Sequence, residues 1–385
     1  MAPKRVLAFV GGTYVFGAEI AALDLLAELA RRGHSIHCVV SGWNDGEMIR
    51  RIEHLGWPYT VVKLGFLYVT RLDWTIDTLV HYPVARLACQ RILREFDPDV
   101  VYFLGMNGLL MLPMFAPPAK TLVYVVDALK PTPRAQRQFR TLARRSAKFL
   151  ATSEFTAKSL AAQGVSSDRV TVVYPPVTLE PSEERPVLRP GLQAAPSSRA
   201  MRIGIVGQLI PRKGHADLIS AASRLARRGL DFSLHVYGRG EPYVAAALAG
   251  QAQDLGLETR MTFHGYVADR QSIYRNLDVG VVPTRDDEPL GLAAAEPGAF
   301  GLPVVASRSG GLPEVVIDQK TGLLFRRGDV SDLTEKLERV LTEPGLDARL
   351  GAAAREHISE KFGRQSCGDA FERVIEDVTT SSASP

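Results

Sequence analysis

Cysteine is scarce and follows no pairing pattern: Cys38, Cys89 and Cys367 are far apart and odd in number, so neither a disulfide framework nor a CxxC metal site is encoded, and a reducing cytoplasm is the default compartment. A one-sided charge is also missing. Lys plus Arg number 46 against 42 Asp plus Glu, a balance of +4 that is too mild to mark a nucleic-acid binder, and no aromatic-interleaved basic surface accompanies it. No run of about 18 consecutive apolar residues occurs, and the richest stretch, Leu109 to Ala116, is broken by Pro113, so no transmembrane helix is expected. The first apolar run stops at Gly11 and acids follow at Glu19 and Asp24, which reads as a first strand and not a signal peptide. Gly11-Gly12-Thr13-Tyr14-Val15-Phe16-Gly17 lacks the GxGxxG spacing, which disfavours a nicotinamide enzyme.

What is present is an ordinary globular composition, 46% apolar and 23% charged over 385 residues, enough for two domains at roughly 100 to 200 residues each. From Arg5 to Val10 an apolar run ends in glycine, and Ala18 to Arg32 then places Ile20, Leu23, Leu26 and Leu29 at helical spacing before Gly33. The alternation continues through Ser35 to Val40, Tyr59 to Lys63, Ile76 to Phe96, Val100 to Leu104, Thr121 to Val126, Arg134 to Ala147, Phe149 to Thr152, Glu154 to Gln163 and Val170 to Tyr174. Leu179 to Ala200 reads LEPSEERPVLRPGLQAAPSSRA, with the composition of a linker.

A second series follows: strand Met201 to Val206, helix His215 to Arg228, strand Ser233 to Tyr237, helix Tyr243 to Leu255 and strand Met261 to His264. Strands Val279 to Val282 and Pro303 to Ala306 are expected to complete the second sheet, and Val330 to Thr342 and Asp347 to Lys361 to close it as helices. Repeated βα units predict an α/β architecture of two Rossmann-like βαβ domains facing an interdomain cleft, with ligands at the carboxyl ends of the strands. The expected division is 1–178, a linker at 179–200, 201–362, and a last segment at 363–385.

The densest chemistry lies in Arg285-Asp286-Asp287-Glu288-Pro289-Leu290-Gly291-Leu292, with Glu296 eight positions after Glu288. A helix beginning near Leu290 offers free amides and a positive dipole end to an anion, and puts Glu296 roughly 9 to 12 Å further along. That length suits a nucleotide diphosphate sugar: Glu288 to sugar hydroxyls, the amides of Leu290, Gly291 and Leu292 to the β-phosphate, Glu296 to ribose hydroxyls. The same residues also fit acids that merely favour a helix start, with Glu296 solvated.

Gly207-Gln208-Leu209-Ile210-Pro211-Arg212-Lys213-Gly214 lies between strand and helix, where glycine permits close phosphate approach and Lys213 supplies charge; taken alone, the stretch fits an ordinary βα turn with a solvated Arg-Lys pair better, because glycine-rich loops are weak motifs. Gly238-Arg239-Gly240 reads as turn geometry. In the first half Phe16-Gly17-Ala18-Glu19 opens a helix, and Gly17 is placed to bring backbone amides to a pyrophosphate from the opposite side of the cleft.

Together these stretches resemble the retaining glycosyltransferases of family 4, which have the GT-B fold. Phe16-Gly17-Ala18-Glu19 and Gly33-His34 are similar to that family's first-helix elements, Gly207-Gln208-Leu209 with Lys213-Gly214 to its Gly-Arg-Leu…Lys-Gly loop, and Glu288 and Glu296 to its Glu, seven residues, Glu signature. Gly301-Leu302-Pro303-Val304-Val305-Ala306, Gly310-Gly311-Leu312-Pro313-Glu314 and Thr321-Gly322-Leu323-Leu324 extend the similarity over most of the chain.

The resemblance implies transfer of a hexose-type sugar from a nucleotide diphosphate sugar with retention of anomeric configuration, by a front-face route in which the leaving phosphate helps deprotonate the acceptor. It implies no obligatory metal and no cofactor beyond the co-substrate. Gly17, Gln208, Arg212, Lys213, Glu288, Leu290, Gly291, Leu292 and Glu296 then become donor-binding residues, and Lys213 and Glu288 also catalytic. Residues 1–178 become the acceptor-binding domain and 201–362 the nucleotide-sugar domain, and the helix Arg364 to Val378 is expected to cross back onto the first domain.

Two departures stand out. Gln208 replaces an arginine common in the family, with Arg212 placed to compensate, and the region Val126-Asp127 lacks a histidine often found near the acceptor, leaving Asp127 either to orient an acceptor hydroxyl or to cap a turn. A silent sugar-nucleotide-binding subunit, an inverting transferase and an epimerase are the rival functions. UDP-sugars and GDP-mannose both fit as donors, with nucleobase selection expected near Gly265-Tyr266-Val267 and sugar selection at Asp286 to Leu292. A glycan, a lipid-linked sugar and a natural-product aglycone all fit as acceptors, chosen by loops at Gly42 to Glu47, Phe66 to Trp74, Gly105 to Gly108 and Ala128 to Gln138. Arg134, Arg137, Arg140, Arg144, Arg145 and Lys148 form a basic run that suits peripheral contact with the cytoplasmic face of a membrane or a solvated helix packed by Phe139 and Leu142.

Overall fold

The computed structural model describes residues 2–11, 14–63, 72–105, 121–129, 132–143, 148–177 and 200–380. The chain divides into two compact units, Met1–Pro176 with Arg364–Pro385, and Val177–Gly363. The linker expected at 179–200 lies outside the described residues except for Ala200, as do most of the loops 66–74 and 105–108 and the richest apolar stretch, 109–116.

In the first unit the elements are β1 (Arg5–Phe9), α1 (Gly17–Arg31), β2 (Ser35–Ser41), α2 (Glu47–His54), β3 (Tyr59–Val62), α3 (Leu72–Phe96), β4 (Val100–Leu104), β5 (Thr121–Val125), α4 (Pro133–Ala143), β6 (Lys148–Ala151), α5 (Glu154–Ala162) and β7 (Val170–Val172). The strands form one parallel sheet in the order β3-β2-β1-β4-β5-β6-β7. β4 and β5 are buried end to end because helices cover both faces, which is why they read as continuous apolar runs. The strand period of two sorts their residues: Val6, Ala8, Tyr102 and Tyr124 enter one core with α1, while Leu7, Phe9, Phe103 and Val123 enter the other. α3 turns Ala85, Cys89 and Ile92 to that second core and leaves Ile76, Leu79, Val80, Val84 and Leu87 exposed.

In the second unit they are β8 (Met201–Val206), α6 (His215–Arg227), β9 (Phe232–Tyr237), α7 (Pro242–Asp254), β10 (Met261–Gly265), α8 (Arg270–Arg275), β11 (Val279–Val282), α9 (Leu292–Ala299), β12 (Val304–Ser307), α10 (Leu312–Val315), β13 (Gly322–Phe325), α11 (Val330–Thr342) and α12 (Leu346–Phe362). The second sheet is also parallel, in the order β10-β9-β8-β11-β12-β13. The expectation that the strand at Pro303 to Ala306 completes it is corrected: β13 pairs outside β12, and its four buried residues are too few for periodicity to reveal. The short helices α2, α8 and α10 also have no expected counterpart, since helices of 8, 6 and 4 residues give a helical period too little length.

The chain then returns. After Gly363, α13 (Arg364–Thr380) lays Cys367, Phe371, Val374, Ile375 and Val378 into the core shared with α1. Arg32 at the end of α1 donates to Asp369 at 2.7 Å and Glu372 at 2.8 Å, and Lys148 reaches Asp377 at 2.9 Å. These half-exposed pairs add little each, so apolar burial is the main adhesive. Phe371, fully buried with its ring centroid 5.8 Å from that of Tyr102, is the largest single contributor from α13. Phe371→Ala is expected to lower unfolding stability by ~3 to 5 kcal/mol, read from urea or thermal unfolding; a loss below ~1 kcal/mol would show that α13 is not integral to the first unit.

Candidate active site

The second sheet reverses its winding between β8 and β11: the chain proceeds from β8 to β9 and β10 on one side, and from β11 to β12 and β13 on the other. Loops leaving two such neighbours diverge and open a crevice at their carboxyl ends, where open α/β sheets take ligands. Of the residues expected to bind the donor, Gln208, Arg212, Lys213, Glu288, Leu290 and Gly291 come from those two loops, Leu292 and Glu296 from α9, and Gly17 from α1 of the first unit. Gly207 to Gly214 leaves β8, with a 3₁₀ turn at Pro211–Lys213, and Pro283 to Gly291 leaves β11.

The structure brings Lys213 and Glu288 together. Lys213 Nζ donates to Glu288 Oε1 at 2.6 Å, and Glu288 is only 7% exposed. Both loops are clamped so that the pair can meet. The carbonyl of Arg212 accepts from Arg285 N at 2.8 Å and Thr284 Oγ1 at 3.0 Å. Arg285 forks onto Asp217 of α6 at 2.5 and 2.7 Å, a bidentate bond that raises its affinity for its proton. Gly214 has φ +73°, and a Cβ there would sit 1.8 Å from the carbonyl oxygen of Pro283, so only glycine lets the loops approach. Gly310 plays the same part behind Glu288, where a Cβ would lie 2.1 Å from its carbonyl oxygen, while Gly311 N bonds that oxygen at 2.8 Å. Ser309 Oγ holds Asp286 O at 2.7 Å and Arg327 holds Asp287 at 2.7 Å, completing the support.

Gln208 lies in the β8 loop beside the backbone bridge from Leu209 N to Arg239 O, 2.7 Å, and Arg212 is exposed, its guanidinium free of ion pairs among the described residues. Gly238, expected as turn geometry, crosses the chain more closely than that: its Cβ would meet Gly207 O at 1.8 Å.

The helix expected to begin near Leu290 begins at Leu292, with Gly291 at φ +104° as its N-cap and Leu290 buried before it. Ala294 N is the first amide bonded back, to Gly291 O at 2.8 Å, so the amides of Leu292 and Ala293 precede the bonded turns, as at any helix start. Glu296 lies ~6 Å from Leu292 along the axis, nearer than expected because the start moved. It is not solvated but 6% exposed: Arg270 Nη1 donates to Oε1, and the Tyr274 hydroxyl donates to Oε2 at 2.6 Å. Arg270 and Tyr274 were missed because α8 is too short to announce itself, although their spacing of four was a signal for one helical face.

His215, the first residue of α6, was also missed. It is 3% exposed, and neither ring nitrogen has a hydrogen-bond partner among the described residues. Burial, then the charge of Lys213, pushes its pKa down to about 4, so it is neutral at physiological pH.

In the first unit Gly17 is the first residue of α1, and Glu19 Oε2 reaches back to Phe16 N at 3.0 Å. Burial raises the Glu19 pKa, the bond from Phe16 lowers it, and the charge of Asp127, two residues past the end of β5, raises it. Asp127 is exposed. In the basic helix, Phe139 is buried in the core while Arg137 and Arg140 are exposed, and residues 144–147 lie outside the described residues. Among the described residues no helix is long and apolar enough to cross a membrane, and no cluster of three or more His, Cys, Asp or Glu is placed to hold a metal.

Because the folded-state pKa of His215 lies below the ordinary value of 6.5, the unfolded chain binds the extra proton; stability is fully present above pH 6.5 and is lost as pH falls toward 4. The loss expected is ~3 kcal/mol, and His215→Leu is expected to flatten that part of the stability profile in urea unfolding between pH 7 and pH 4. Parallel profiles for the two proteins would remove His215 as the cause.

Residues 15–181 match the sequence family "Glycosyltransferase Family 4" and residues 195–357 match "Glycosyl transferases group 1". The chain is 38% identical over 178 residues to the GDP-mannose-dependent alpha-(1-6)-phosphatidylinositol monomannoside mannosyltransferase of Mycolicibacterium smegmatis, covering 44% of this chain and 46% of that protein. It is 32% identical over 245 residues to the 2-deoxystreptamine glucosyltransferase of Streptomyces kanamyceticus, covering 60% and 62%. The alignments thus span about half the length of the curated relatives. In fold it is similar to Anabaena Alr3699/HepE in complex with UDP and glucose, with a TM-score of 0.76 over 97% of this chain and 100% of that one at 20% identity. With two parallel Rossmann-like sheets, and one matching sequence family in each half, the chain belongs to the family 4 glycosyltransferases of GT-B fold.

Proposed function

We propose that the chain is a retaining, metal-independent glycosyltransferase that moves a hexose-type sugar from a UDP- or GDP-sugar to a hydroxyl of a glycan, lipid-linked or small-molecule acceptor. The observation that carries this reading is the Lys213–Glu288 pair, one cation and one carboxylate held at the β8/β11 switch point beside the starts of α6 and α9. The names of the relatives, one GDP-mannose-dependent and one a glucosyltransferase, support a nucleotide-sugar donor.

In this reading the second unit holds the donor. Lys213 has three donors on its ammonium, so it can bond a β-phosphate oxygen without releasing Glu288, and the amides of Leu290, Gly291 and Leu292 face the same phosphate. As the bond from the anomeric carbon to the phosphate oxygen breaks, charge grows on the departing diphosphate, and a fixed cation with oriented amides stabilises it without reorganising. The acceptor oxygen bonds the same face of the sugar and its proton passes to the leaving phosphate, so configuration is retained. Glu288 holds sugar hydroxyls, Glu296 holds the ribose, and Arg212 supplies the charge that Gln208 lacks. Gly17, at the start of α1, is assigned to the pyrophosphate and Asp127 to the acceptor hydroxyl.

Nucleotide diphosphate release from UDP-, GDP-, ADP- and dTDP-sugars, with acceptors and with or without chelator, is the test. Lys213→Ala and Glu288→Ala are each expected to lower turnover ~100- to 1,000-fold, with chelator having no effect on the wild type. Arg212→Ala is expected to weaken donor binding ~10-fold, about the worth of one charged hydrogen bond, and Asp127→Asn to slow transfer with donor affinity unchanged. Donor binding without transfer to any acceptor would favour the silent subunit, to which Gln208 lends weight, and an inverted product anomer would overturn retention.

A further inference from the structure

Glu296 sits inside α9, and a carboxylate this buried must be matched by hydrogen bonds or give up its charge. Both partners come from α8, one helical turn apart: the Arg270 guanidinium on Oε1 and the Tyr274 hydroxyl on Oε2, 2.6 Å away. α8 is only six residues long, so its position is set from outside. Asp269 caps it through Gln271 N at 3.0 Å, and Ile273 and Tyr274 pack with Tyr237, Leu277 and Leu302. The Tyr274 ring also lies 5.5 Å from that of Phe300 at the end of α9. Burial and the Glu296 charge hold the Tyr274 hydroxyl well above its ordinary pKa, so it remains a donor.

Each oxygen of an ionised carboxylate accepts about two hydrogen bonds, and each oxygen of Glu296 has one supplied from α8. Among the described residues what remains is one acceptor position per oxygen, side by side and oriented by the two bonds from α8. A vicinal diol, two hydroxyl donors on adjacent carbons, matches that arrangement.

Building on the functional reading above, we propose that Arg270 and Tyr274 are positioning residues that lock Glu296 into reading both ribose hydroxyls, and that the site therefore selects ribonucleotides over 2′-deoxyribonucleotides. A site built to bond a hydroxyl rejects the analogue that lacks it, because its own polar groups are then left short of a partner. Arg270 and Tyr274 need not touch the nucleotide; they decide whether the carboxylate can hold both hydroxyls at once.

The test is equilibrium binding, by calorimetry on the full chain, of UDP, 2′-deoxy-UDP, GDP and 2′-deoxy-GDP to the wild type, Tyr274→Phe and Arg270→Gln. The wild type is expected to bind the ribose form of its nucleotide ~10-fold or more tighter than the deoxy form, the worth of one charge-assisted bond. Both variants are expected to bring that ratio near unity while affinity for the deoxy form stays unchanged. A purely structural α8–α9 clasp would instead weaken both forms equally, and that result, or an unaltered ratio, overturns the proposal. Arg270, with its side chain 27% exposed, decides the matter if Tyr274→Phe does not fold. A wild type that binds UDP or GDP without preferring ribose sinks this inference and the ribose role of Glu296 but leaves the rest of the functional reading standing, whereas one that binds no nucleotide removes both.

Discussion

The parallel pairing of β8 with β11 is the constraint on which the site depends. Val279 lies opposite Ile203 and Gly280 opposite Gly204, and that register puts two loops from distant parts of the chain side by side. Glycine occupies both strand positions because side chains from the covering layers press close: a Cβ on Gly204 would lie 2.2 Å from Leu277 Cδ1, and one on Gly280 2.9 Å from Pro297 Cγ. Helices can therefore sit close against the sheet at the switch point, and the starts of α6 and α9 are carried to its edge. Two helix dipoles and the Lys213 charge then share one crevice.

Charge within this unit is balanced locally. Lys213 is matched by Glu288, Arg285 by Asp217, Arg270 by Glu296 and Arg327 by Asp287. Each acid is held by a cation from another segment, so the pairs tie loops together as well as cancelling charge. Leaving one partner of such a half-buried pair alone costs more than the pair itself contributes, which makes the loops interdependent. Arg212 stands apart as an exposed cation of the loop after β8 with no ion pair among the described residues.

Much of the architecture was legible in the chain. The alternation of buried strands with helices such as α1 and α6 follows from burial on both faces of a parallel sheet, and long amphipathic segments announce themselves. The chain's return through α13 was anticipated only by family resemblance, since an amphipathic helix does not say which surface it will cover. The misreadings are local and share a cause. β13 and α8 are too short for periodicity, and the start of α9 moved by two residues because Gly291, in a left-handed conformation, ends the loop later than the leucine pattern suggests.

The sequence by itself determined the fold class, the order of the longer elements, and the candidate acids and cations of the site, because hydrophobic period and charge are properties of the chain. Only the tertiary structure decided their company. Lys213 and Glu288 are 75 residues apart and meet because two strands pair; Glu296 is buried because Arg270 and Tyr274 come from another helix; His215 is neutral because the fold withholds water from it. Partnership and burial are non-local quantities, set by which surfaces pack together, and a linear pattern carries no term for them.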